Sequence, residues 1–334
     1  MNGSNPRQVS VIGAGSWGTA LAHLLADAGA EVTLWGRDPA VISDINTRHQ
    51  NRKYLADCLL NEKVKGSTDL ASALSKASVI VCSVPTQQIR QVFAPYAAKL
   101  SGKTVINTAK GMELGTFCRV SEIFSELAPS AKYAVLSGPS FAEEVARRLP
   151  TAVTVAATEL AVAEQVQQSL ATSYFRAYSS QDVIGVELAG SLKNVVAIGS
   201  GVVAGLKLGY NAQAAIINRG IAEMTRMGKK LGAEPLTFMG LAGMGDLILT
   251  CTGPLSRNRR LGIALGEGKT LNEAQHAVGG VAEGVFTARA AEEFARKLGI
   301  EMPITEQVHR ILYQGTTPQQ ALAELMSRDL KAEW

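Results

Sequence analysis

Two isolated charges in the second half of the 334-residue chain are the first candidates for chemistry. Lys193 lies in the apolar stretch ELAGSLKNVVAIGSG, and Asp246 lies in the apolar stretch GLAGMGDLILT. A buried charge is costly unless it meets an opposite charge, so each residue predicts the other as its partner. Lys193 is then a candidate proton donor to an oxygen that becomes negative when a carbonyl group is reduced. The alternative is a lysine at a helix edge whose amine reaches solvent.

Histidine is the usual proton donor in such reactions, but none of the four histidines lies in a polar or glycine-lined cluster. His23 and His309 fall within stretches with helical spacing, where packed or surface histidines are common; the other two are His49 and His276. The pattern therefore favours Lys193 as the proton donor.

A basic cluster indicates a site for a phosphate group. It reads Ser256-Arg257-Asn258-Arg259-Arg260 and directly precedes a helical stretch at 261–265. Backbone amides at a helix start, together with an arginine, bind phosphate well. The alternative is a solvated basic first turn, which is disfavoured because cations are unfavourable at a helix N-terminus unless an anion lies there.

Polar groups also follow two predicted strands in the first half. Lys110 comes after the strand at 104–107, and Gly138 and Ser140 come after the strand at 133–136. Ligands bind at this carboxyl edge in open α/β sheets, although Lys110 has an ordinary loop lysine as its alternative. Ser140 and Glu143 have the spacing of a capping box, so we expect Ser140 to cap a helix even if it also contacts a ligand.

The motif Gly13-Ala-Gly-Ser-Trp-Gly18 lies between a short β-rich run and a helical stretch and matches GxGxxG. Gly13 permits the tight turn, Gly15 lets the backbone approach a pyrophosphate, and Gly18 lets the helix pack on the sheet. Ser16 and Trp17 supply backbone amides at the helix start, where phosphates bind. The context makes a dinucleotide site the favoured interpretation over a glycine turn that binds nothing.

The end of the second strand predicts which nicotinamide binds. NAD enzymes place an acid there for the ribose 2′-OH, whereas NADP enzymes tend to place an arginine. In this sequence Gly36 stands at the acid position and Arg37 follows, so NADPH is favoured. Asp38 keeps NAD open as an alternative, and Arg37 could instead be a solvated turn residue.

The surrounding pattern predicts an α/β fold for the first half. A βαβ unit spans 9–38, and further strands are predicted at 79–84, 104–107, 133–136 and 152–155. Strands that alternate with helical stretches indicate a Rossmann-type doubly wound parallel sheet. After residue 180 only helical periods recur. We therefore expect a dinucleotide-binding Rossmann domain at 1–180 and an all-helical substrate-binding domain at 181–334.

Composition excludes several classes of protein. The formal net charge is +4, without a block of like charges, so nucleic acid is not an expected partner. The four cysteines lack the spacing of a zinc site and are expected to be reduced thiols, with no metal. The start of the chain lacks the pattern of a secretory signal, and the longest uncharged stretches fall short of the roughly 20 residues that cross a bilayer. We expect a cytoplasmic protein without membrane insertion, and its apolar, glycine-rich helices favour a homodimer.

Taken together, the motifs resemble those of the bacterial NAD(P)-dependent glycerol-3-phosphate dehydrogenases. The resemblance runs from about residue 8 to beyond residue 310. It rests on GAGSWGTA, LWGRD, TAKGME, SGPSFAEEV, ELAGSLKNVVAIGSG, GLAGMGDLILT, SRNR and GGVAEGVFTA. It implies reversible reduction of dihydroxyacetone phosphate to sn-glycerol 3-phosphate, a precursor of phospholipids, with NADPH preferred and NADH as the alternative.

The resemblance also implies a role for each site residue. Lys193 would be the general acid and base. The residues implied around the substrate are Lys110, Gly138, Ser140, Lys193, Asp246, Ser256, Arg257 and Asn258. Those implied to contact the cofactor, besides Gly13, Gly15 and Gly18, are Ser16, Trp17, Arg37, Tyr54, Lys110, Ala142, Arg257, Val281 and Glu283.

Two other functions stay open on the residues alone. A dehydrogenase with the same layout could act on a 3-hydroxy acid or on ketopantoate, although Ser256, Arg257 and Asn258 suit phosphate at least as well as a carboxylate. A regulatory protein could sense the nicotinamide nucleotide without chemistry, but it would not need Lys193 paired with Asp246.

Overall fold

The computed structural model describes residues 7–280, 282–330 and 332–333. Its strands, numbered in chain order, are β1 Gln8–Ile12, β2 Glu31–Trp35, β3 Gln50–Asn51, β4 Leu55–Leu59, β5 Val64–Ser67, β6 Val79–Cys82, β7 Thr104–Asn107, β8 Lys132–Ser137, β9 Thr151–Ala156 and β10 Phe175–Ser180. Eight of them form one sheet in the order β10-β9-β8-β7-β6-β1-β2-β5, and β3 pairs separately with β4.

The sheet confirms the doubly wound α/β prediction. The pairs β1–β2, β1–β6, β2–β5, β6–β7 and β7–β8 are parallel, whereas β8 and β9 are antiparallel. β10 runs parallel to β9 at the edge of the sheet. The sequence pattern missed β5 and β10, because VKGS contains no apolar run and FRAYSS mixes exposed with buried positions.

Helices cover both faces of this sheet. They are α1 Ser16–Asp27, α2 Pro39–Arg48, α3 Leu70–Lys76, α4 Ile89–Phe93, α5 Val120–Leu127, α6 Ala142–Ala146 and α7 Leu160–Leu170. Side chains alternate along a strand, so Val9 and Val11 of β1 join a core formed with α1 and α7. Ile12 joins a second core formed with α3, α4 and α5. The glycine motif thus follows a central strand that is buried on both faces.

From residue 183 onwards the described residues form helices and turns. The helices are α8 Val183–Gly205, α9 Gly209–Lys230, α10 Asp246–Thr252, α11 Arg257–Gly266, α12 Leu271–Val278, α13 Glu283–Leu298, α14 Pro303–Tyr313 and α15 Pro318–Met326. A 3₁₀ turn at Pro235–Met239 and a π-helical turn at Leu241–Gly245 lead directly into α10. A core of side chains from α8, α11, α12, α13 and α14 holds these helices together.

The chain divides into two compact units. The first contains the residues up to Lys110 and Cys118–Glu187, and the second contains Gly111–Phe117 and the residues from Leu188 onwards. The division falls inside α8, and the domain boundary expected at 180/181 stays a prediction.

Helix α8 is also long and apolar enough to cross a membrane by length and composition alone. However, 89% of its most apolar 18-residue window is buried inside the protein. Among the described residues no other helix meets this test. The core helix of a globular protein commonly has such a composition.

Candidate active site

The glycine motif has the geometry that its sequence predicts. Gly13 has φ 121°, and a Cβ there would lie 2.6 Å from the Ser83 carbonyl oxygen. A Cβ on Gly18 would lie 1.9 Å from the Gly13 carbonyl oxygen. Only glycine fits at these two positions, because a side chain would collide with backbone that cannot move independently.

Gly15 differs from its neighbours because it faces open space. It is the N-cap of α1, and a Cβ there would meet nothing within 4 Å. No side chain caps this helix, and its first turn contains no acidic residue. The N-terminus of α1, with Ser16 and Trp17 in its first turn, therefore fits the pyrophosphate of a dinucleotide.

The end of β2 carries a glycine, an arginine and an aspartate whose carboxylate oxygens already have hydrogen-bond partners. Gly36 packs so closely that a Cβ would lie 2.8 Å from the Cβ of Ala14, and Arg37 is exposed. Asp38 accepts a hydrogen bond from the backbone amide of Ala40 and caps α2. Its other carboxylate oxygen lies 2.8 Å from Lys53 Nζ.

Tyr54 lies beside the glycine motif, because its carbonyl oxygen accepts a hydrogen bond from Ser16 Oγ at 2.7 Å. The structure thus brings the predicted cofactor residues Ser16 and Tyr54 together, although 38 residues separate them.

Lys110, Gly138 and Ser140 also lie together. The Gly138 carbonyl oxygen accepts a hydrogen bond from Ser140 Oγ at 2.9 Å, and Lys110 Nζ lies 3.5 Å from the same oxygen. Gly138 has φ 148°, and a Cβ would lie 2.8 Å from Val153 Cα. The predicted capping box is wrong. The N-cap of α6 is Phe141, with Ala142 as the first helical residue, so Ser140 lies one residue too early to cap it.

In the second unit, Lys193 and Asp246 form the predicted pair. Lys193 is 5% exposed and Asp246 is 1% exposed, and Nζ lies 2.7 Å from the Asp246 Oδ1. The amine is therefore enclosed and does not reach solvent as a lysine at a helix edge would. The π-helical turn Leu241–Gly245 places Asp246 at the start of α10, and such turns are frequent at functional sites.

The basic cluster forms the start of α11. Ser256 is the N-cap, and its hydroxyl accepts a hydrogen bond from the Arg259 amide. Arg257 is exposed, and its guanidinium lies against Gly280, where a Cβ would be 3.4 Å from Cζ. Asn258 is buried, and its Oδ1 accepts a hydrogen bond from the Gly284 amide at 3.0 Å.

Glu283 is the first residue of α13, directly before Gly284, so it lies near this cluster. The predicted cofactor residue Val281 lies outside the described residues.

His23 is buried in α1, where its Nδ1 accepts a hydrogen bond from the Asn61 amide. Within the described part of the chain, no three His, Cys, Asp or Glu residues lie close enough to hold a metal ion.

Family models cover most of the chain. The model described as the NAD-dependent glycerol-3-phosphate dehydrogenase N-terminus matches residues 8–163. The model for the C-terminus of the same family matches residues 182–323. The chain belongs to the NAD-dependent glycerol-3-phosphate dehydrogenase family.

Relatives of this dehydrogenase family match over nearly their full length. A glycerol-3-phosphate dehydrogenase [NAD(P)+] from Geobacter sp. is 51% identical over 330 residues, which is 98% of each chain. The protein of the same name from Enterococcus faecalis is 47% identical, over 98% of this chain and 97% of its own. The crystal structure of glycerol-3-phosphate dehydrogenase from Coxiella burnetii has a TM-score of 0.93 at 40% identity, over 97% of this chain and 99% of its own.

Two polar residues beside Lys193 in this dehydrogenase were not predicted. Thr250 Oγ1 accepts a hydrogen bond from Lys193 Nζ at 2.7 Å and donates one to the Asp246 carbonyl oxygen at 2.6 Å. Asn194 Oδ1 accepts a hydrogen bond from Asn258 Nδ2 at 2.9 Å. Thr250 follows Asp246 by four residues, so helical spacing could have placed both on one face of α10.

Proposed function

We propose that this chain catalyses the reversible reduction of dihydroxyacetone phosphate to sn-glycerol 3-phosphate with NAD(P)H. The observation that carries the proposal is the buried amine of Lys193, bonded to Asp246 and Thr250. The family models and the relatives of similar length support the choice of substrate. Because both substrate and product carry a phosphate, the cluster at the start of α11 also supports it.

Each group of residues has its own part in the proposed reaction. The nicotinamide, when bound, supplies a hydride to the ketone carbon. Lys193 donates the proton to the carbonyl oxygen, and in the reverse direction its neutral amine removes the hydroxyl proton. Asp246 and Thr250 hold the Nζ of Lys193 in one position, so that little reorganisation is needed when the proton moves.

Substrate binding is assigned to polar groups from both halves of the sequence. We assign the phosphate to Ser256, Arg257 and Asn258, because an arginine and helix amides favour a dianion. Lys110, Gly138 and Ser140 complete the substrate contacts.

The cofactor is assigned to the glycine motif and to the ends of nearby strands. Its contacts are Gly13, Gly15, Ser16, Trp17, Gly18, Arg37, Tyr54, Lys110, Ala142, Arg257, Val281 and Glu283. We propose that NADPH is preferred over NADH, since Gly36 stands where an acid would hold the ribose 2′-OH and Arg37 follows it. The engagement of Asp38 by Lys53 supports the same preference.

We also propose that the protein acts in the cytoplasm as a homodimer and supplies glycerol 3-phosphate for phospholipids. Two large apolar side chains of the second unit, Tyr210 and Leu236, are 89% and 82% exposed in the single chain. Sedimentation velocity tests the dimer, and a monomer at micromolar concentration would contradict it.

A substrate panel tests the reaction. Oxidation of NADPH and of NADH is followed with dihydroxyacetone phosphate, ketopantoate and short 3-keto acids. We expect dihydroxyacetone phosphate to be reduced, faster with NADPH than with NADH. Reduction of a keto acid but not of dihydroxyacetone phosphate would indicate a dehydrogenase that acts on 3-hydroxy acids or on ketopantoate. Binding of NADPH without its oxidation by any of these substrates would indicate a nucleotide sensor.

A further inference from the structure

The turn at residues 51–54 is attached to the glycine motif by a buried side chain. Asn51 is 0% exposed, and its Nδ2 donates hydrogen bonds to the Ala14 carbonyl oxygen at 3.0 Å and to Thr19 Oγ1 at 2.8 Å. Both acceptors lie in or next to GAGSWG. These two hydrogen bonds fix the start of the turn relative to the dinucleotide site.

The end of the same turn is also held by the glycine motif. Ser16 Oγ donates to the Tyr54 carbonyl oxygen at 2.7 Å, so the two residues that precede Tyr54 lie between two anchors. Lys53 is therefore presented in a defined place, although its side chain is 56% exposed.

From this place Lys53 reaches the end of β2. Its Nζ lies 2.8 Å from Asp38 Oδ2 and 5.4 Å from the centre of the Tyr54 ring. The hydrogen bond from Lys53 lowers the pKa of Asp38, and the hydrogen bond to Asp38 raises the pKa of Lys53. Both groups are consequently charged at neutral pH.

This ion pair changes the charge at the position that distinguishes the two nicotinamides. An unpaired Asp38 beside Arg37 would suit a ribose 2′-OH and would repel a 2′-phosphate, which carries nearly two negative charges. Lys53 compensates the carboxylate, and Arg37 then contributes its positive charge to the end of β2.

We propose that Lys53 is a specificity-determining residue, which screens Asp38 and, with Arg37, favours the 2′-phosphate of NADPH. The inference rests on the proposed use of NAD(P)H and names a residue for it outside the predicted site. It also explains how an acidic residue next to Arg37 is compatible with NADPH.

The test compares Lys53→Met with the unchanged enzyme. Dissociation constants for NADPH and NADH are measured by quenching of tryptophan fluorescence, and kcat/KM for each is measured with dihydroxyacetone phosphate. We expect the preference for NADPH over NADH to fall about tenfold in both measurements, a change of about 1.4 kcal/mol. The effect of Lys53→Met should shrink at 0.5 M salt, because the charges are exposed.

Two further variants make the result specific. Lys132→Met removes an exposed lysine at the amino end of β8, away from the strand ends that carry the site, and should leave the preference unchanged. Asp38→Asn added to Lys53→Met should restore part of the preference, since it removes the charge that Lys53 screens.

Equal weakening of NADPH and NADH by Lys53→Met, or no weakening of either, would overturn the inference. The binding measurement is independent of turnover. If the unchanged enzyme binds both nucleotides but reduces no dihydroxyacetone phosphate, the proposed reaction fails while the role of Lys53 is still decided by the two dissociation constants.

Discussion

Lys193 combines two properties that seldom occur together in a lysine, since its side chain is almost fully enclosed and its amine is held by an acid and a hydroxyl. Removing an ammonium ion from water costs several kcal/mol, which Asp246 and Thr250 offset. An arrangement with this cost and no evident packing benefit is typical of a functional site. Turnover should therefore depend more strongly on Lys193 than on any other residue of the candidate site.

Replacement of Lys193 by alanine should lower kcat about a thousandfold or more, because no other group would supply the proton. The dissociation constant for NADPH should change little. Both are measured on the same preparation, by steady-state assay and by fluorescence titration.

Loss of stability could imitate this result, since Lys193→Ala removes the ammonium group that neutralises the buried carboxylate of Asp246, at a cost of about 3–5 kcal/mol. The double variant Lys193→Met with Asp246→Asn removes both charges and should regain most of the stability but no turnover. Recovery of activity in the double variant would show that Lys193 has only a structural role.

Arg257 should affect substrate affinity rather than the chemical step. A charge-assisted hydrogen bond to phosphate contributes about 1.5–3 kcal/mol, so Arg257→Ala should raise the KM for dihydroxyacetone phosphate about tenfold to a hundredfold. Arg296→Ala is the control, because Arg296 is also an exposed arginine of the second unit and lies near the C-terminal end of α13. An unchanged KM in Arg257→Ala would count against the phosphate site.

Among the elements, α8 and α11 matter most for the site, because they carry Lys193 and Asn258. Four glycines let their backbones touch. A Cβ on Gly201 would lie 2.1 Å from the Arg259 carbonyl oxygen, and a Cβ on Gly262 would lie 2.0 Å from the Ile198 carbonyl oxygen; Gly205 and Gly266 continue the contact. This close approach puts Asn258 of α11 within hydrogen-bond distance of Asn194 of α8.

Substitution of Gly262 by alanine should destabilise the second unit by more than about 2 kcal/mol, since the added methyl group forces the two backbones apart. Alanine has a helix propensity about 1 kcal/mol better than glycine, so a net loss must come from the collision. Urea unfolding measures the change. Gly240→Ala is the control, because its Cβ would come no closer than 3.4 Å to any neighbour, and it should cost far less.

At the scale of the whole molecule, Asp27 in the first unit and Glu223 in the second have pKa shifts of opposite sign, and burial also raises the pKa of Glu187 in the first unit. Burial alone would raise the pKa of Asp27. Hydrogen bonds from Arg148, Asn61 and Tyr174 outweigh that effect and hold the pKa of Asp27 well below its usual value of 3.8. In the second unit, burial raises the pKa of Glu223 to about 7 against the opposing effect of hydrogen bonds from the Ile304 and Thr305 amides.

The parts of the structure around Asp27 and around Glu223 should therefore respond differently to pH. The unfolded chain takes up a proton at Asp27 before the folded chain does, so the first unit loses stability as the pH falls below about 4. Glu223 in the folded chain keeps its proton longer than the unfolded chain does. The second unit thus loses about 2–3 kcal/mol as the pH rises from about 4.5 to 7.

Hydrogen exchange of peptides from α1 and from α14, corrected for intrinsic rates, measures these changes unit by unit. Glu223→Gln should abolish the loss in α14 between pH 4.5 and 7 and leave the response of α1 unchanged. Asp27→Asn should remove the acid-dependent loss in α1 alone. The same pH response in α1 and α14 of the unchanged protein would contradict the assignment.

Sequence motifs and local patterns were sufficient to predict the family, the doubly wound sheet and the helical second half. All three predictions are confirmed. The pattern also predicted the Lys193–Asp246 pair, because a charge buried in an apolar helix is costly unless an opposite charge lies beside it. The preference for NADPH, the domain boundary, the homodimer, the location in the cytoplasm and the roles of the site residues stay predictions.

Other contacts between distant segments, by contrast, follow only from the folded chain. The pairing of Lys53 with Asp38, the anchoring of Asn51 on the glycine motif and the hydrogen bond from Lys193 to Thr250 each depend on how elements pack. So does the buried carboxylate of Glu187, which is bonded to Ser121, Tyr133 and Arg119 from more than fifty residues away.

The physical reason is that hydrophobic periodicity and glycine sterics act over a few neighbouring residues, so a sequence determines which strands, helices and tight turns form. Hydrogen bonds and ion pairs need atoms that are far apart along the chain to lie about 3 Å from each other, to within a few tenths of an ångström. Those distances exist only once the helices and the sheet have packed, and the tertiary structure alone decides them.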